Sequence, residues 1–274
     1  TSSATNTLTR QGNPLTLLLQ VWTTTSAWPV ALDTSPNCRT GAYGGSPLFG
    51  QSGALAGDPD TAVGFNGIGF VSIPGSLQVP LNSAITVEFW NLVNSNEVRE
   101  GGAFGIGGQN SPNRCWAHVP WSDRLVYWDY GDADVNGRIS ASYSSYQGQW
   151  THVVLLSGGN SATGGNFKAI FLNGTLVASS SPSDGPNVVL SGAAIGRFLS
   201  PIGNYTHPGR IDEFAIYTTM LSSARINAHF SASGSGAYRT AVLSDSQLGY
   251  WRLGETVVGN GPYDQGGGRG AAIP

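Results

Sequence analysis

The chain has 274 residues, 11% of them charged, and a formal net charge of −3 at pH 7. So few charges, with Lys168 as the single lysine, exclude a basic surface for nucleic acid and argue against binding to anionic membranes. The longest apolar run, Leu15 to Trp22, is interrupted by Thr16 and Gln20, whereas roughly 20 apolar residues are needed to span a bilayer. With 39 glycines, 8 tryptophans, 10 tyrosines and 10 phenylalanines, the composition favours a turn-rich all-β protein with a sizeable core.

The first 14 residues are polar and end with Gly12 and Pro14, which predicts an N-terminal arm over residues 1–14. This stretch lacks the basic and apolar regions of a secretion signal. We therefore expect that a signal has been removed, or that the protein reaches its place without secretion, as components of virus particles do.

Short strands separated by turn clusters follow, and with almost no helix between them they indicate a two-sheet sandwich. We place one domain over residues 15–232. Within 167–178, Asn173 and Gly174 favour a tight hairpin because both accept positive φ. The other clear strands are Ala84–Val93, Trp150–Leu156, Val188–Gly196 and Arg210–Tyr217.

Two of these strands alternate with a period of two residues. In the first, one face would carry Ile85, Val87 and Phe89, and the other Thr86, Glu88 and Trp90. In the second, one face would carry Ile211, Glu213, Ala215 and Tyr217, and the other Asp212, Phe214 and Ile216.

One short helix is predicted near residues 222–230. Ser222 suits its N-cap, because the hydroxyl can accept from the free amides of the first turn. Leu221 and Ile226 flank this cap and would form a hydrophobic staple.

The segment GRIDEFAIYTTMLSSARI, residues 209–226, resembles the closing segment of laminin-G-like, concanavalin A-like jelly-roll domains. In that family a G-x-I-D-E strand precedes L-S-x-x-x-I. The sequences at 64–75 and 150–156 are similar to further strands of the same domains. Arg225 departs from the pattern, since the family usually has an acid there. The resemblance implies an all-β, two-sheet antiparallel jelly-roll sandwich.

Residues 233–274 form a C-terminal tail, in which Tyr-Trp-Arg-Leu-Gly-Glu at 250–255 resembles the first strand of a second repeat. One interpretation is a loosely packed remnant. The other is that 249–253 adds as a strand to its own sheet or to that of a neighbour. Because an unpaired apolar strand invites aggregation, we expect a docked tail through which copies of the protein, or other virion proteins, associate.

The sequence offers little for catalysis. It contains no G-x-S-x-G nucleophile elbow, and its four histidines and two cysteines lack metal-ligand spacing. Jelly-roll glucanases need two carboxylates on one strand face, but Asp212 and Glu213 are adjacent and Glu88 has no acidic partner two residues on. We therefore predict that the protein is not an enzyme. Whether Cys38 and Cys115 form a disulfide stays open.

Calcium has two candidate sites. Asp132, Asp134 and Asn136 take the first, third and fifth places of an EF-hand-like loop, but Tyr143 stands where the bidentate Glu belongs. A polar hairpin loop is the alternative. Independently, the family resemblance implies a structural calcium held by Asp33 and Asp212. In the alternative, Asp212 accepts hydrogen bonds from loop amides.

Aromatic residues are dense between 115 and 150. Val126, Trp128 and Tyr130 would share one strand face, with Tyr127 and Asp129 on the other; one face must be core. The other face would stack on sugar rings. The candidate glycan-binding residues are Trp121, Trp128 and Tyr130, with Asp129, Asp123 or Arg124 binding hydroxyls.

Together these features predict a non-catalytic recognition or assembly module, outside a cell or on a virus particle. In the first interpretation it is a phage structural protein, such as a capsid decoration or a tail or fibre component, that also binds cell-surface glycans. The alternative is a secreted bacterial carbohydrate-binding or adhesion module from a multi-repeat protein. A glycoside hydrolase would require the carboxylate pair that the sequence lacks.

Overall fold

The computed structural model describes residues 6–10, 13–17, 30–108, 112–132, 137–158, 167–181, 185–198 and 205–256. In this part of the chain, two antiparallel sheets enclose a common hydrophobic core, which confirms the predicted sandwich. The bounds of the strands are β1 Asn6–Arg10, β2 Asn13–Leu17, β3 Val30–Ala31, β4 Gly41–Gly44, β5 Leu48–Ser52, β6 Thr61–Gly64, β7 Phe70–Val79, β8 Ile85–Leu92, β9 Phe104–Ile106, β10 Arg114–His118, β11 Leu125–Gly131, β12 Arg138–Ser142, β13 Thr151–Ser157, β14 Lys168–Leu172, β15 Thr175–Ser180, β16 Leu190–Ile195, β17 Arg210–Tyr217 and β18 Gly249–Trp251.

The first sheet has the strand order β12-β11-β10-β9-β16-β7-β4-β3. The second sheet has the order β15-β14-β13-β8-β17-β6-β5, and β18 pairs with β17 beside this path. Strands β1 and β2 form a separate hairpin. Two helices follow β17, namely α1 Ser223–Ala232 and α2 Tyr238–Leu243. No helix of the described residues is long and apolar enough to span a membrane.

Alternation along β8 places its residues as the sequence predicts. Ile85, Val87 and Phe89 lie in the core between the sheets. Glu88 and Trp90 lie on the outer side of the second sheet, where they are buried. Burying each large apolar side chain contributes about 1.5–3 kcal/mol, so the inward face of this central strand is a main source of stability.

Strand β17 departs from its predicted alternation at a β-bulge. Asp212 is opposite Trp90 and Ala215 is opposite Glu88 of β8, so two residues, Glu213 and Phe214, stand against one. Glu213 has a φ of 54°, a left-handed conformation that such bulges use to change the direction of the next side chain. As a result Ile211, Phe214 and Ile216 all lie in the core. Strict alternation would have placed Ile211 on one face and Phe214 and Ile216 on the other.

Local turn and cap chemistry follows the sequence closely. Asn173 and Gly174 both have positive φ, 49° and 75°, and connect β14 to β15 as a tight hairpin. Ser222 is the N-cap of α1 and accepts from the Arg225 amide. These positions were predictable because they depend on neighbouring residues alone.

The second helix was not predicted. Both helices cover the outer side of the second sheet, and the residues between them and the sheet form a second hydrophobic cluster. Its members include Trp90, Phe171, Tyr217, Ile226, Tyr238, Val242 and Tyr250. Residues 233–256, which we assigned to the tail from the sequence, therefore pack on the sandwich.

The described part of the tail contains β18, which completes the edge of β17. Strand β6 pairs with Arg210 and Ile211 of β17, and β18 pairs with the next stretch, 214–216. On its other side Trp251 forms a bridge with Asp33. The predicted strand at 249–253 thus docks within its own chain.

A buried polar network joins the helices to the second sheet. The fully buried carboxylate of Glu88 accepts from Tyr238 of α2 at 2.9 Å and contacts Nδ1 of His229 of α1 at 3.0 Å. The other ring nitrogen of His229 is 2.7 Å from Asp245, and Arg225 also binds this carboxylate. Arg225, which replaces the expected acid, therefore holds the two helices together.

Burial and charge act in opposite directions on the pKa values of this network. Burial favours neutral Glu88, but the nearby rings of His152, at 3.9 Å, and of His229, at hydrogen-bond distance, outweigh this and lower its pKa to about 2. Burial likewise favours neutral His229, but the hydrogen bonds and charges of Glu88 and Asp245 raise its pKa. His229 is therefore held as a cation between two carboxylates.

We expect a chain that ends at Ala232 to lose stability. It lacks Tyr250 and Arg252, and so leaves buried Glu213 without partners, a change that typically costs about 3–5 kcal/mol. It also lacks the Tyr238 hydroxyl, so that Glu88 keeps His229 but loses one donor. The free energy of unfolding in urea measures this loss. A chain ending at Thr256 keeps all these contacts and is the control. The native mass of both shortened chains and of the full chain reports separately on association through the tail. Equal stability of both shortened chains would contradict the role given to the tail.

We also expect the stabilising effect of His229 to decrease as pH rises. Unfolded histidine titrates near pH 6.5, and folded His229 keeps its proton to higher pH. Its contribution is therefore complete below about pH 6.5 and is lost as pH rises through the raised pKa. The difference in unfolding free energy between the protein and His229→Gln, measured across this range, should shrink with increasing pH. A difference that does not change with pH would contradict the charged assignment.

Candidate functional site

The outer face of the first sheet carries a row of aromatic and charged side chains on three neighbouring strands. The inward residues of β10 and β11, such as Cys115 and Val126, lie in the core. Their alternates point outward because successive side chains of a strand face opposite sides. The outward residues are Arg114, Trp116 and His118 on β10, Tyr127 and Asp129 on β11, and Arg138 on β12.

Strand register brings these side chains together. Trp116 is opposite Asp129, which in turn is opposite Arg138 on the next strand. His118 is opposite Tyr127. The row thus crosses three strands, and side chains directly opposite one another on antiparallel strands are close enough to interact.

These residues and the loops beside them form a pocket of ≈ 200 Å³. Trp121 comes from the β10–β11 connection, just after the cis Val119–Pro120 bond, and Phe198 and Tyr205 come from the β16–β17 connection. The complete lining is Arg114, Trp116, His118, Trp121, Tyr127, Arg138, Phe198 and Tyr205.

The aromatic wall of the pocket is closely packed. Phe198 stacks on Trp116 with ring centroids 4.8 Å apart and planes within 4°. Trp121 lies edge to face with His118 at 4.2 Å and tilted against Tyr205 at 5.4 Å. Trp116 and Phe198 are buried, whereas Trp121, Tyr127 and Tyr205 are partly exposed, so these last three offer ring surface to a ligand.

The charged groups of the pocket are unequally paired. Asp129 is fully buried, and its two carboxylate oxygens accept from Arg138 at 2.6 Å each. Arg114 approaches the same carboxylate only to 3.9 Å and lies over the Trp116 ring, 5.1 Å from its centre. Arg138 lies over the Tyr127 ring in the same way.

His118 is a neutral member of the wall. Its Nδ1 is 2.8 Å from the Gly101 carbonyl, which fixes the proton on that nitrogen. Burial lowers the pKa of His118 to about 4, because the Gly101 hydrogen bond and the charge of Asp129 only partly offset the loss of water. It therefore adds no charge near neutral pH.

Only one of the predicted glycan-binding residues, Trp121, lines this pocket. Trp128 and Tyr130 are fully buried, where they donate to the carbonyls of Leu156 and Ser83. The face of β11 that they share is the core face, so neither ring has surface for a sugar. Asp129 lies beneath the pocket and is bound by Arg138.

The sequence analysis missed several lining residues. Arg114, Trp116 and His118 occupy every second position of the segment R-C-W-A-H. This alternation could have placed them on one face of a strand. Phe198 and Tyr205 carry no such pattern, because they reach the pocket from a loop. Asp123, a predicted hydroxyl ligand, instead accepts from the Tyr127 hydroxyl at 2.6 Å.

Asp33 does not suit a calcium ion. Its Oδ1 accepts from the amides of Ser35 and Tyr250, both at 2.9 Å, and its Oδ2 from the amide of Arg39 at 2.6 Å. These amide protons point at the oxygens that a cation would need. Asp33 therefore fixes the loop after β3 to β18.

Asp212 is buried beside Glu213. Burial, and then the charge of Glu213, raise its pKa well above the usual range. Its Oδ1 has no hydrogen-bond partner among the described residues. One oxygen accepts from the Ala54 amide at 2.8 Å, as the alternative interpretation of Asp212 expects. The described residues contain no group of three or more His, Cys, Asp or Glu arranged to hold a metal.

The guanidinium of Arg252 lies among three carboxylates, one of them that of Glu213, which follows Asp212 in β17. It binds Asp58 and Glu213, both at 2.7 Å, and Asp60 at 3.0 Å. The hydroxyl of Tyr250 donates to Glu213 as well. Burial nevertheless raises the pKa of Glu213 to about 7, against the effect of Arg252.

Of the second candidate calcium site, Asp134 and Asn136 lie outside the described residues. Asp132 is described, and its backbone carbonyl accepts from the Gly137 amide at 2.5 Å. The carbonyl of Gly137 accepts in turn from the buried Lys168. Calcium in this loop stays a prediction. Cys38 and Cys115 are both free.

Comparison with known proteins supports this architecture. Residues 65–227 match the family model of the concanavalin A-like lectin/glucanases superfamily. No curated protein sequence matches the chain.

Several solved structures are similar to the chain. The binding domain of botulinum neurotoxin serotype D has a TM-score of 0.54 and 17% identity, over 73% of this chain and 48% of that one. A structure that relates cell entry of botulinum neurotoxin type C to two ganglioside molecules has a TM-score of 0.53 and 15% identity, over 73% and 48%. The binding domain of botulinum neurotoxin DC in complex with SialylT has a TM-score of 0.51 and 13% identity, over 75% and 52%. The chain thus spans about half the length of these structures, and at such identities the likeness concerns the fold.

We expect the melting temperature to be the same in calcium and in a chelator, because backbone amides already bind both oxygens of Asp33 and one oxygen of Asp212. Thermal unfolding followed by circular dichroism measures it. A fall in chelator that is absent in Asp134→Asn would assign calcium to the loop at 132–137. A fall that persists in Asp134→Asn would contradict the account of Asp33 and Asp212.

Proposed function

The chain belongs to the concanavalin A-like lectin/glucanases superfamily, and from this premise we propose that it is a non-catalytic module that recognises glycans in the pocket on its first sheet. The observation that carries the proposal is the set of partly exposed rings of Trp121, Tyr127 and Tyr205 beside two arginines. Rigid aromatic rings offer a large apolar surface with a polar edge, which suits the C–H face and the hydroxyls of a sugar.

The composition of the lining favours binding over hydrolysis. Glycoside hydrolysis generally needs two carboxyl groups on either side of the scissile bond, and the lining residues include none. Asp129 lies below them and is bound by Arg138 through both oxygens. It is therefore placed to position Arg138, and it has no carboxyl partner across the pocket.

The structural neighbours give this proposal support by analogy. One is described in complex with SialylT, and another with a dependence on two ganglioside molecules. These statements concern proteins of which this chain covers about half the length, so the proposal must be tested on the pocket itself.

The biological setting is the finer part of the proposal. We place the module outside a cell or on a virus particle, because a glycan-binding pocket would meet cell-surface glycans in either setting. Strand β18 already completes the edge of its own sheet. This pairing favours docking of the tail within one chain over association of copies through it. A secreted carbohydrate-binding or adhesion module and a virion component both remain compatible with a glycan pocket.

We expect Trp121→Ala to weaken glycan binding, because it removes the ring that forms one corner of the pocket against Tyr205. Stacked aromatic contacts contribute about 0.5–1.5 kcal/mol beyond area burial, so affinity should fall at least several-fold. A glycan array with the purified protein identifies the ligand, and titration calorimetry quantifies the change.

Trp150→Ala is the matched control. Trp150 is also partly buried, but packs in the second hydrophobic cluster on the other sheet. It should keep full glycan affinity. Equal loss in both variants, or no binding to any glycan of a broad array, would overturn the proposed function.

A further inference from the structure

We propose that the pocket binds a single acidic sugar residue, whose carboxylate is held by Arg114. This inference rests on the proposed glycan-binding function and adds the chemical class of the ligand. It follows from one side chain whose hydrogen-bonding capacity the described part of the chain leaves unused.

Arg114 is mostly buried, with 17% of its side chain exposed. A guanidinium carries five N–H donors in a rigid plane, yet those of Arg114 make no hydrogen bond to any described residue. Its Nε is buried without a partner, and its approach to Asp129 at 3.9 Å exceeds hydrogen-bond distance. Stacking over Trp116 fixes its plane at the wall of the pocket.

Among the described residues Arg197 shares this state, since its Nε is also buried without a partner and its guanidinium lies over the Phe70 ring, but only Arg114 of the two lines the pocket. Two further arginines are fully paired. Arg138 makes two charged hydrogen bonds to Asp129, and Arg252 binds Asp58 and Glu213. A partly buried donor without an acceptor is unfavourable, so the exposed edge of Arg114 favours an acceptor supplied from the pocket. A carboxylate suits it best, because its two coplanar oxygens match two parallel N–H groups.

The surrounding charges favour an anion at Arg114. Asp129, the buried carboxylate between the two arginines, is occupied by Arg138. His118 is neutral near pH 7, since burial lowers its pKa to about 4. The carboxylate of Asp123 accepts from the hydroxyl of Tyr127 at 2.6 Å. Tyr127 lies on β11, the strand that pairs with the β10 strand of Arg114. Among the described residues, Arg114 is thus the pocket cation with no carboxylate at hydrogen-bond distance.

The size of the pocket limits the ligand to one ring. Pockets for drug-sized ligands measure roughly 300–1,000 Å³, and this one measures ≈ 200 Å³. A single sugar can rest its C–H face on Trp121 and Tyr205 while its carboxylate reaches Arg114. A terminal uronic or sialic acid residue has this chemistry, and a sulfated sugar is the competing source of an anion.

The test compares sugars that differ in one group. Titration calorimetry is performed with the methyl glycosides of glucose and glucuronic acid, of galactose and galacturonic acid, and of galactose 6-sulfate, and with methyl sialoside. We expect an acidic member to bind at least about tenfold more tightly than its neutral counterpart, as a charged hydrogen bond typically provides. This preference should weaken with added salt.

Three variants assign the preference to Arg114. Arg114→Gln should remove the preference and leave the weak binding of neutral sugars, and Arg114→Lys, which keeps the charge but loses the planar fork, should retain part of it. Arg239→Gln changes an exposed arginine on α2 and should behave as the unchanged protein. The melting temperature of each variant checks its fold.

The outcomes separate the two proposals. Equal binding of acidic and neutral sugars, or a preference that survives Arg114→Gln, overturns the acidic-sugar assignment and leaves glycan recognition standing. Tighter binding of the 6-sulfate than of every carboxylate overturns the choice of carboxylate. No binding of these sugars or of any array glycan overturns both proposals.

Discussion

The pairing of β18 with β17 is the constraint on which the rest of the second sheet depends. Strand β17 lies between β8 and β6 in that sheet, but β6 pairs only with the first two residues of β17. The remaining stretch, 214–216, finds its partner more than thirty residues later, at 249–251. An unpaired edge at this position would expose backbone donors and acceptors to other chains. The path of the chain from α1 through α2 therefore serves to return a strand to this gap.

This return also brings the counter-charges of the fold. Arg252 follows β18 directly and lies among Asp58, Asp60 and Glu213, where isolated carboxylates would be unfavourable. On the outer side of the same sheet, Tyr238 and the His229–Asp245 pair satisfy Glu88. Buried charge in this protein is thus balanced by side chains of the C-terminal segment.

The sequence predicts those features that depend on neighbouring residues. The faces of β8, the turn at Asn173–Gly174 and the N-cap at Ser222 all follow from local chemistry. Alternation in β17 failed because one extra residue at the bulge reverses the remaining faces, and the insertion has no local signal. For β11, alternation gives two faces but cannot tell which one meets the other sheet. Trp128 and Tyr130 were therefore assigned to a ligand although they belong to the core.

The two sheets use their outer faces differently, and this division separates stability from recognition. Helices α1 and α2 close the outer face of the second sheet with an apolar cluster and the Glu88 network. The first sheet leaves β10, β11 and β12 open, and its outward residues line a pocket. Trp121 and Arg114 line the pocket on the first sheet, whereas β18, with Arg252 directly after it, pairs with a strand of the second sheet. Ligand preference can therefore change through a few outward residues of three strands, while the contacts that hold the sandwich together stay as they are.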